Sequence, residues 1–91
     1  MRQLIIIYEF LHGGSTDKRA FEDMIRKYGS YAFMSKNSCI IWTDAQVANV
    51  RDNLLNGLNV GDRIFVGVLS APAAWNNLDK EVSDYIVKNL S

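Results

Sequence analysis

Apolar residues recur along this chain with two periods. Leu4 to Phe10 is a run of β-branched and aromatic residues, which predicts a first strand. In Asp17 to Tyr28 the apolar positions Phe21, Met24, Ile25 and Tyr28 stand at i, i+3, i+4 and i+7, one stripe of a helix. Ser15 or Thr16 can cap this helix, and Gly29 can end it. Tyr31 to Met34 reads as a short second strand, turned back by Ser35-Lys36-Asn37 into a third at Ser38 to Thr43. Asp44 is placed to cap a second helix striped by Val47, Val50, Leu54 and Leu58, with Gly57 near its stop. Arg63 to Leu69 predicts a fourth strand, and Asp79 opens a last helix carrying Val82, Tyr85, Ile86 and Leu90 on one side.

The order β-α-β-β-α-β plus a C-terminal helix predicts an α+β, ferredoxin-like fold in a single domain, residues 1–91. Its sheet would be four-stranded and antiparallel, with the first two helices on one face. Alternation within the strands adds a second inference. Leu4, Ile6, Tyr8 and Phe10 oppose Ile5, Ile7 and Glu9; Ile64, Val66 and Val68 oppose Phe65, Gly67 and Leu69; Cys39 and Ile41 oppose Ile40 and Trp42. Three strands are apolar on both sides, where a half-solvated antiparallel sheet would alternate cleanly. Leaving such residues wet forgoes roughly 1.5–3 kcal/mol each. The second face therefore needs the C-terminal helix, another subunit, or both. A homodimer joined through the sheet is the first expectation; a monomer whose last helix crosses the open face is the alternative.

Composition narrows the classes. In 91 residues, ten Lys+Arg balance ten Asp+Glu, which excludes a strongly basic nucleic-acid coat and an acidic tail. Residues 1–36 hold six basic and four acidic side chains, and residues 37–91 hold four and six, so the zero sum hides a mild asymmetry. A single cysteine, Cys39, in the apolar run Cys39-Ile40-Ile41-Trp42, excludes an internal disulfide and reads as a buried, inert thiol. The expected location is cytoplasmic. The N-terminal apolar run is too short for a secretion signal and reads as a strand, and no run reaches the ~18 apolar residues of a membrane span.

Several strings resemble a known group: Ile7-Tyr8-Glu9, Ile25-Arg26-Lys27-Tyr28-Gly29, Gly29-Ser30-Tyr31-Ala32-Phe33, Ser38-Cys39-Ile40-Ile41-Trp42-Thr43, Val50-Arg51-Asp52-Asn53-Leu54, Gly61-Asp62-Arg63-Ile64-Phe65-Val66 and Ala73-Ala74-Trp75. Together they resemble small bacterial and phage proteins often labelled SinR-like, which are similar in turn to the second CRISPR-associated protein. The resemblance implies a ferredoxin-like homodimer associating through its sheets. Some members of the CRISPR-associated family are metal-dependent nucleases, and others only bridge DNA. The family's functional aspartate ends the first strand; here that position is Glu9, one methylene longer. No helix-turn-helix pattern accompanies the SinR-like label.

Glu9 is the foremost candidate site residue, because a charge closing an apolar strand is costly to bury unless paired or bound to a cation. It could meet its symmetry mate and bind a divalent ion such as Mg²⁺ through oxygen, or pair with Arg2 or Arg63. A second candidate is the loop His12-Gly13-Gly14-Ser15-Thr16 with Lys18, which can aim backbone N–H groups and side-chain donors at a phosphate. It lacks the Walker spacing, and the plain reading is a loop with a helix cap. His12 could serve as a base or be only a loop residue. Lys18, Arg19, Arg26 and Lys27 share the first helix with Glu22 and Asp23. Tyr8, Phe33, Trp42 and Trp75 could stack bases, or fill a small core, and Pro72-Ala73-Ala74-Trp75 should make a turn that seats Trp75 on the body.

The function expected is a homodimeric, non-enzymatic binding module for nucleic acid, a nucleotide or a protein. The alternatives are a divalent-metal endonuclease using Glu9 across the dimer, and a phage-type inhibitor of bacterial defence or sponge for signal nucleotides.

Overall fold

The computed structural model describes residues 1–12 and 15–90. Its elements run β1 (Arg2–Glu9), α1 (Ser15–Arg26), β2 (Tyr31–Ser35), β3 (Ser38–Thr43), α2 (Val47–Leu55), β4 (Arg63–Leu69) and α3 (Lys80–Asn89). The fold is α+β, with one four-stranded sheet ordered β2-β3-β1-β4. All three neighbouring pairs are antiparallel. Since β1 and β2 both oppose β3, they run parallel with β3 between them; β3 and β4 likewise enclose β1. Each β-α-β connection therefore steps over one strand of the other.

The helix boundaries depart from the expected ones for local reasons. Helix α1 begins at Ser15, two residues before the expected start at Asp17, and the side chains of Ser15 and Thr16, named as its possible caps, lie outside the described residues. Gly29 does follow its end, at φ +91°, a conformation that penalises any Cβ. Asp44 does not cap α2. Thr43 Oγ1 accepts the Ala45 N–H at 3.1 Å, and the helix starts only at Val47, after a Gln46 that makes no side-chain cap. Leu58 falls beyond α2 but still packs on the core.

The main core lies between the sheet and helices α1 and α2. Leu4, Ile6 and Tyr8 of β1, Cys39 and Ile41 of β3, Phe21 and Ile25 of α1, and Val50 and Leu54 of α2 are all buried there. Gly57 lets the helices close on one another: a Cβ there would sit 2.7 Å from Met24 Sδ and 3.2 Å from Phe21 Cδ1.

Helix α3 covers part of the opposite face. Val82 and Ile86 pack on Ile40, with Met34, Leu69, Leu78, Tyr85 and Leu90 around them. Gln3 is buried beneath this helix, and its Nε2 donates to the Ile86 carbonyl at 3.1 Å. Its Oε1 is buried without a hydrogen-bond partner among the described residues. The last helix thus takes one end of the second face, as the two-sided strands require, but not all of it. Ile7 is 47% exposed and Phe65 59%, opposite each other in the β1–β4 register. Among the described residues no helix is long and apolar enough to cross a membrane.

Candidate functional site

Glu9 ends β1 on the face that carries Gln3, Ile5 and Ile7, where α3 does not reach. Its register partner is Arg63, and Glu9 Oε1 lies 3.7 Å from Arg63 Nη1. The side chains are 62% and 80% exposed. So the carboxylate is solvated and loosely paired, not buried, and an ion pair of this kind contributes about 0–1 kcal/mol. Of the two arginines considered as partners, Arg63 is the one beside it; Arg2 instead donates to Gln46 Oε1 at 3.3 Å. Among the described residues no three His, Cys, Asp or Glu side chains converge into a metal cluster. Glu9 alone would be the chain's contribution to any ion shared with another copy.

Beside Glu9, the Ile7 and Phe65 side chains make an apolar strip on the sheet. The Phe65 ring lies over Gly67, where a Cβ would come within 2.8 Å of its Cε1. Gly67 in turn pairs with the half-buried Ile5. The absence of a side chain at position 67 therefore lets an aromatic ring lie flat along an edge strand. A charged pair at one end and a flat ring at the other give this strip its character.

The glycine loop is only partly placed. Gly13 and Gly14 lie outside the described residues, His12 is exposed, and Lys18 is half-buried. What anchors the loop's start is Asp62, a residue the pattern of the sequence does not mark. Its Oδ1 accepts the Leu11 N–H and its Oδ2 the Asn59 N–H, both at 2.8 Å. Gly61, at φ +91°, lets Leu11 lie against the turn: a Cβ there would meet Leu11 Cδ2 at 2.8 Å. Gly57 was legible near the stop of α2, but an acceptor serving an amide 51 positions away was not.

The two backbone N–H bonds, Asn59 first and then Leu11, hold the Asp62 carboxyl below the usual carboxylate range, and His12 adds to this. A depressed folded value contributes stability above the unfolded value of about 3.9, and that contribution is lost as pH falls through the folded one. Asp62→Ala is therefore expected to be less stable than the parent at pH 7, with the gap closing at pH 3. Urea melts at both pH values check this; a gap that does not change with pH would refute it.

The other candidates are structural. Cys39 is fully buried, and burial pushes its thiol up to about 12, so it stays protonated and unreactive. The Tyr8 hydroxyl donates to Glu22 Oε2 at 2.7 Å, and burial raises its pKa far above that of a free phenol. The four aromatics weighed as a stacking platform are dispersed. Tyr8 packs against Phe10 and Phe21 in the core, while Phe33 lies under the Arg26 guanidinium at 4.9 Å. Trp42 faces the α3 side, opposite Gln3. Trp75 is seated by its Nε1–H, which donates to Ser83 Oγ at 3.0 Å.

The basic side chains of α1 are partly neutralised, since Arg26 Nη1 meets Asp23 Oδ1 at 2.8 Å. A groove of about 260 Å³ between α1 and α2 is lined by Met24, Lys27, Tyr28 and Asn53, and Asn53 Nδ2 donates across it to the Tyr28 hydroxyl at 2.9 Å. Its one charged lining residue is Lys27. No family model matches the chain, and no curated protein matches it.

Proposed function

We propose that this chain is a ferredoxin-like, non-enzymatic binding module that associates with a second copy through the bare part of its sheet. The strand interleaving fits the split β-α-β class. The observation that carries the self-association is the Ile7–Phe65 strip with the loose Glu9–Arg63 pair at its end. A two-fold arrangement over this strip buries both rings and sets the carboxylate of one copy against the guanidinium of the other. Isologous contacts of this kind need self-complementary patches, and an acid beside a base supplies one. The resemblance to SinR-like proteins and to the second CRISPR-associated protein belongs to this reading as a proposal of kinship. A solvated, arginine-paired Glu9 favours binding over metal-assisted cleavage.

Sedimentation velocity over a concentration series tests it. A monomer–dimer equilibrium is expected, and Phe65→Ser, which removes a ring from each copy, should weaken it about 1,000-fold, the effect of losing two central anchors of about 2 kcal/mol each. Monomer at every concentration would refute the self-association. Mg²⁺-dependent cleavage of RNA or DNA that disappears in Glu9→Ala would refute the non-enzymatic reading.

A further inference from the structure

The opposite margin of the sheet carries a second feature. Strand β2 is an edge, paired among the described residues only with β3. Ser30 accepts the Trp42 N–H at 3.2 Å, and Tyr31, Ala32 and Phe33 then pair in turn with Ile41, Ile40 and Cys39. In an antiparallel ladder hydrogen-bonded and non-hydrogen-bonded pairs alternate. Ser30 therefore gives its carbonyl, and Ala32 its backbone groups, to β3. Tyr31 and Phe33 point theirs outward, so two N–H donors and two C=O acceptors, one residue apart, face away from the sheet.

A groove of about 360 Å³ runs along this edge, between β2 and α3. Ala32 lines it from the strand, and its small side chain leaves the space; Val82 and Tyr85 line it from the helix. Asp79 and Glu81 stand at the same groove, exposed and without an ion-pair partner among the described residues.

We infer that this groove is a peptide-docking site: it takes an extended segment of another protein as a fifth strand on β2. The segment would place an apolar side chain over Ala32 and a lysine or arginine, two residues along, against Asp79 and Glu81. Main-chain pairing with an exposed edge supplies affinity, and a pocket for alternate side chains supplies selectivity. A second copy of this chain fits poorly as the occupant. Its own edge, Tyr31–Ser35, carries no basic residue, and edge-to-edge pairing with both α3 helices on one side would bring the acidic pairs together. The site lies across the sheet from Ile7 and Phe65 and does not depend on self-association there.

The test is an ¹H–¹⁵N NMR titration of the full chain with acetylated, amidated pentapeptides Thr-Xaa-Thr-Lys-Thr, Xaa being Val, Ile, Leu, Phe or Met. At least one is expected to bind with millimolar or better Kd, shifting Tyr31, Phe33, Val82 and Tyr85 and slowing exchange of the Tyr31 and Phe33 amides. N-methylation of the peptide amides that face β2 should abolish binding. The double variant Asp79→Asn/Glu81→Gln should weaken it about three- to tenfold, the effect of two exposed charge contacts. Both residues are exposed, and Asp79 makes no side-chain cap, so the fold tolerates the change. No shifts with any of the peptides up to about 5 mM would overturn the inference. So would undiminished binding of the N-methylated peptide, or β2 shifts that appear on concentrating the protein alone. Concentration-dependent shifts at Ile7 and Phe65 report the separate question of self-association.

Discussion

Gln3→Glu is expected to turn the docking of α3 into a pH-dependent event. Gln3 is fully buried under the helix, with one donor satisfied by the Ile86 carbonyl and one acceptor unpaired among the described residues. A protonated glutamic acid keeps the donor. An ionised one loses it, sets a charge against a carbonyl oxygen, and has no compensating donor in place. Full burial raises a glutamate's pKa by up to about 3–5 units. The sign follows from that: with the folded value above the unfolded one of about 4.3, the variant's stability is fully present below about pH 4 and is lost as pH rises toward the folded value. At pH 7 holding the acid protonated costs about 3–4 kcal/mol, 1.36 kcal/mol for each unit above 4.3. The helix can avoid that cost by leaving the sheet, so the penalty cannot exceed the free energy of docking α3. Urea melts and amide exchange at pH 4 and pH 7 check this. Relative to the parent at the same pH, protection across Val82–Leu90 should fall at pH 7 while the Phe21 core stays protected. Equal stability at the two pH values would show that the position is not as dry as its burial indicates.

Phe21→Ala is expected to have the largest effect on the fold as a whole, about 3–5 kcal/mol. The ring is fully buried, 4.8 Å from the Tyr8 ring and 5.5 Å from that of Phe10, and it lies under the Gly57 approach between α1 and α2. Its removal opens a cavity where three elements meet, and neither the sheet nor the second helix can collapse into it without breaking strand register. Domains of this size have about 5–15 kcal/mol in total, and each kcal/mol lowers Tm by about 4–8 °C. Thermal melts should therefore drop by tens of degrees. Phe65→Ser is the internal comparison: its ring is more than half exposed, so the monomer should melt near the parent temperature even as self-association fails. A Phe21→Ala loss below about 1 kcal/mol would mean that the cluster repacks, against the expected cost of a rigid core.

Helical periodicity and strand alternation were enough to place every element in order. β3 and β4 have the bounds read from the sequence, because an apolar run flanked by turn residues leaves little choice of end. The helix starts were less legible. Ser15 and Asp44 both have N-cap chemistry, yet one lies within α1 and the other lies upstream of α2, where Thr43 takes the turn's N–H instead. A cap is chosen by the angle at which the chain leaves the previous strand, and that angle is tertiary. The sites divide in the same way. Glu9 was marked by its own charge in an apolar strand. Asp62 and the β2–α3 groove were not, since each is assembled from segments far apart in sequence: Leu11 with Asp62, and Ala32 with Val82 and Tyr85.

The amino-acid sequence by itself determined that there are four strands, three helices and more apolar sheet face than two helices can cover, because burial period is a property of neighbours along the chain. Only the tertiary structure decided how that surplus is shared. Gln3, Ile40 and Leu69 go under α3, while Ile7 and Phe65 are left bare beside Glu9 and Arg63. Alternation says which residues share a face. Where a short helix comes to rest on that face depends on the connection that delivers it and on the groups it finds there. The same holds for the free edge of β2: which backbone groups face outward follows from register with β3, and register is fixed only when the sheet is assembled.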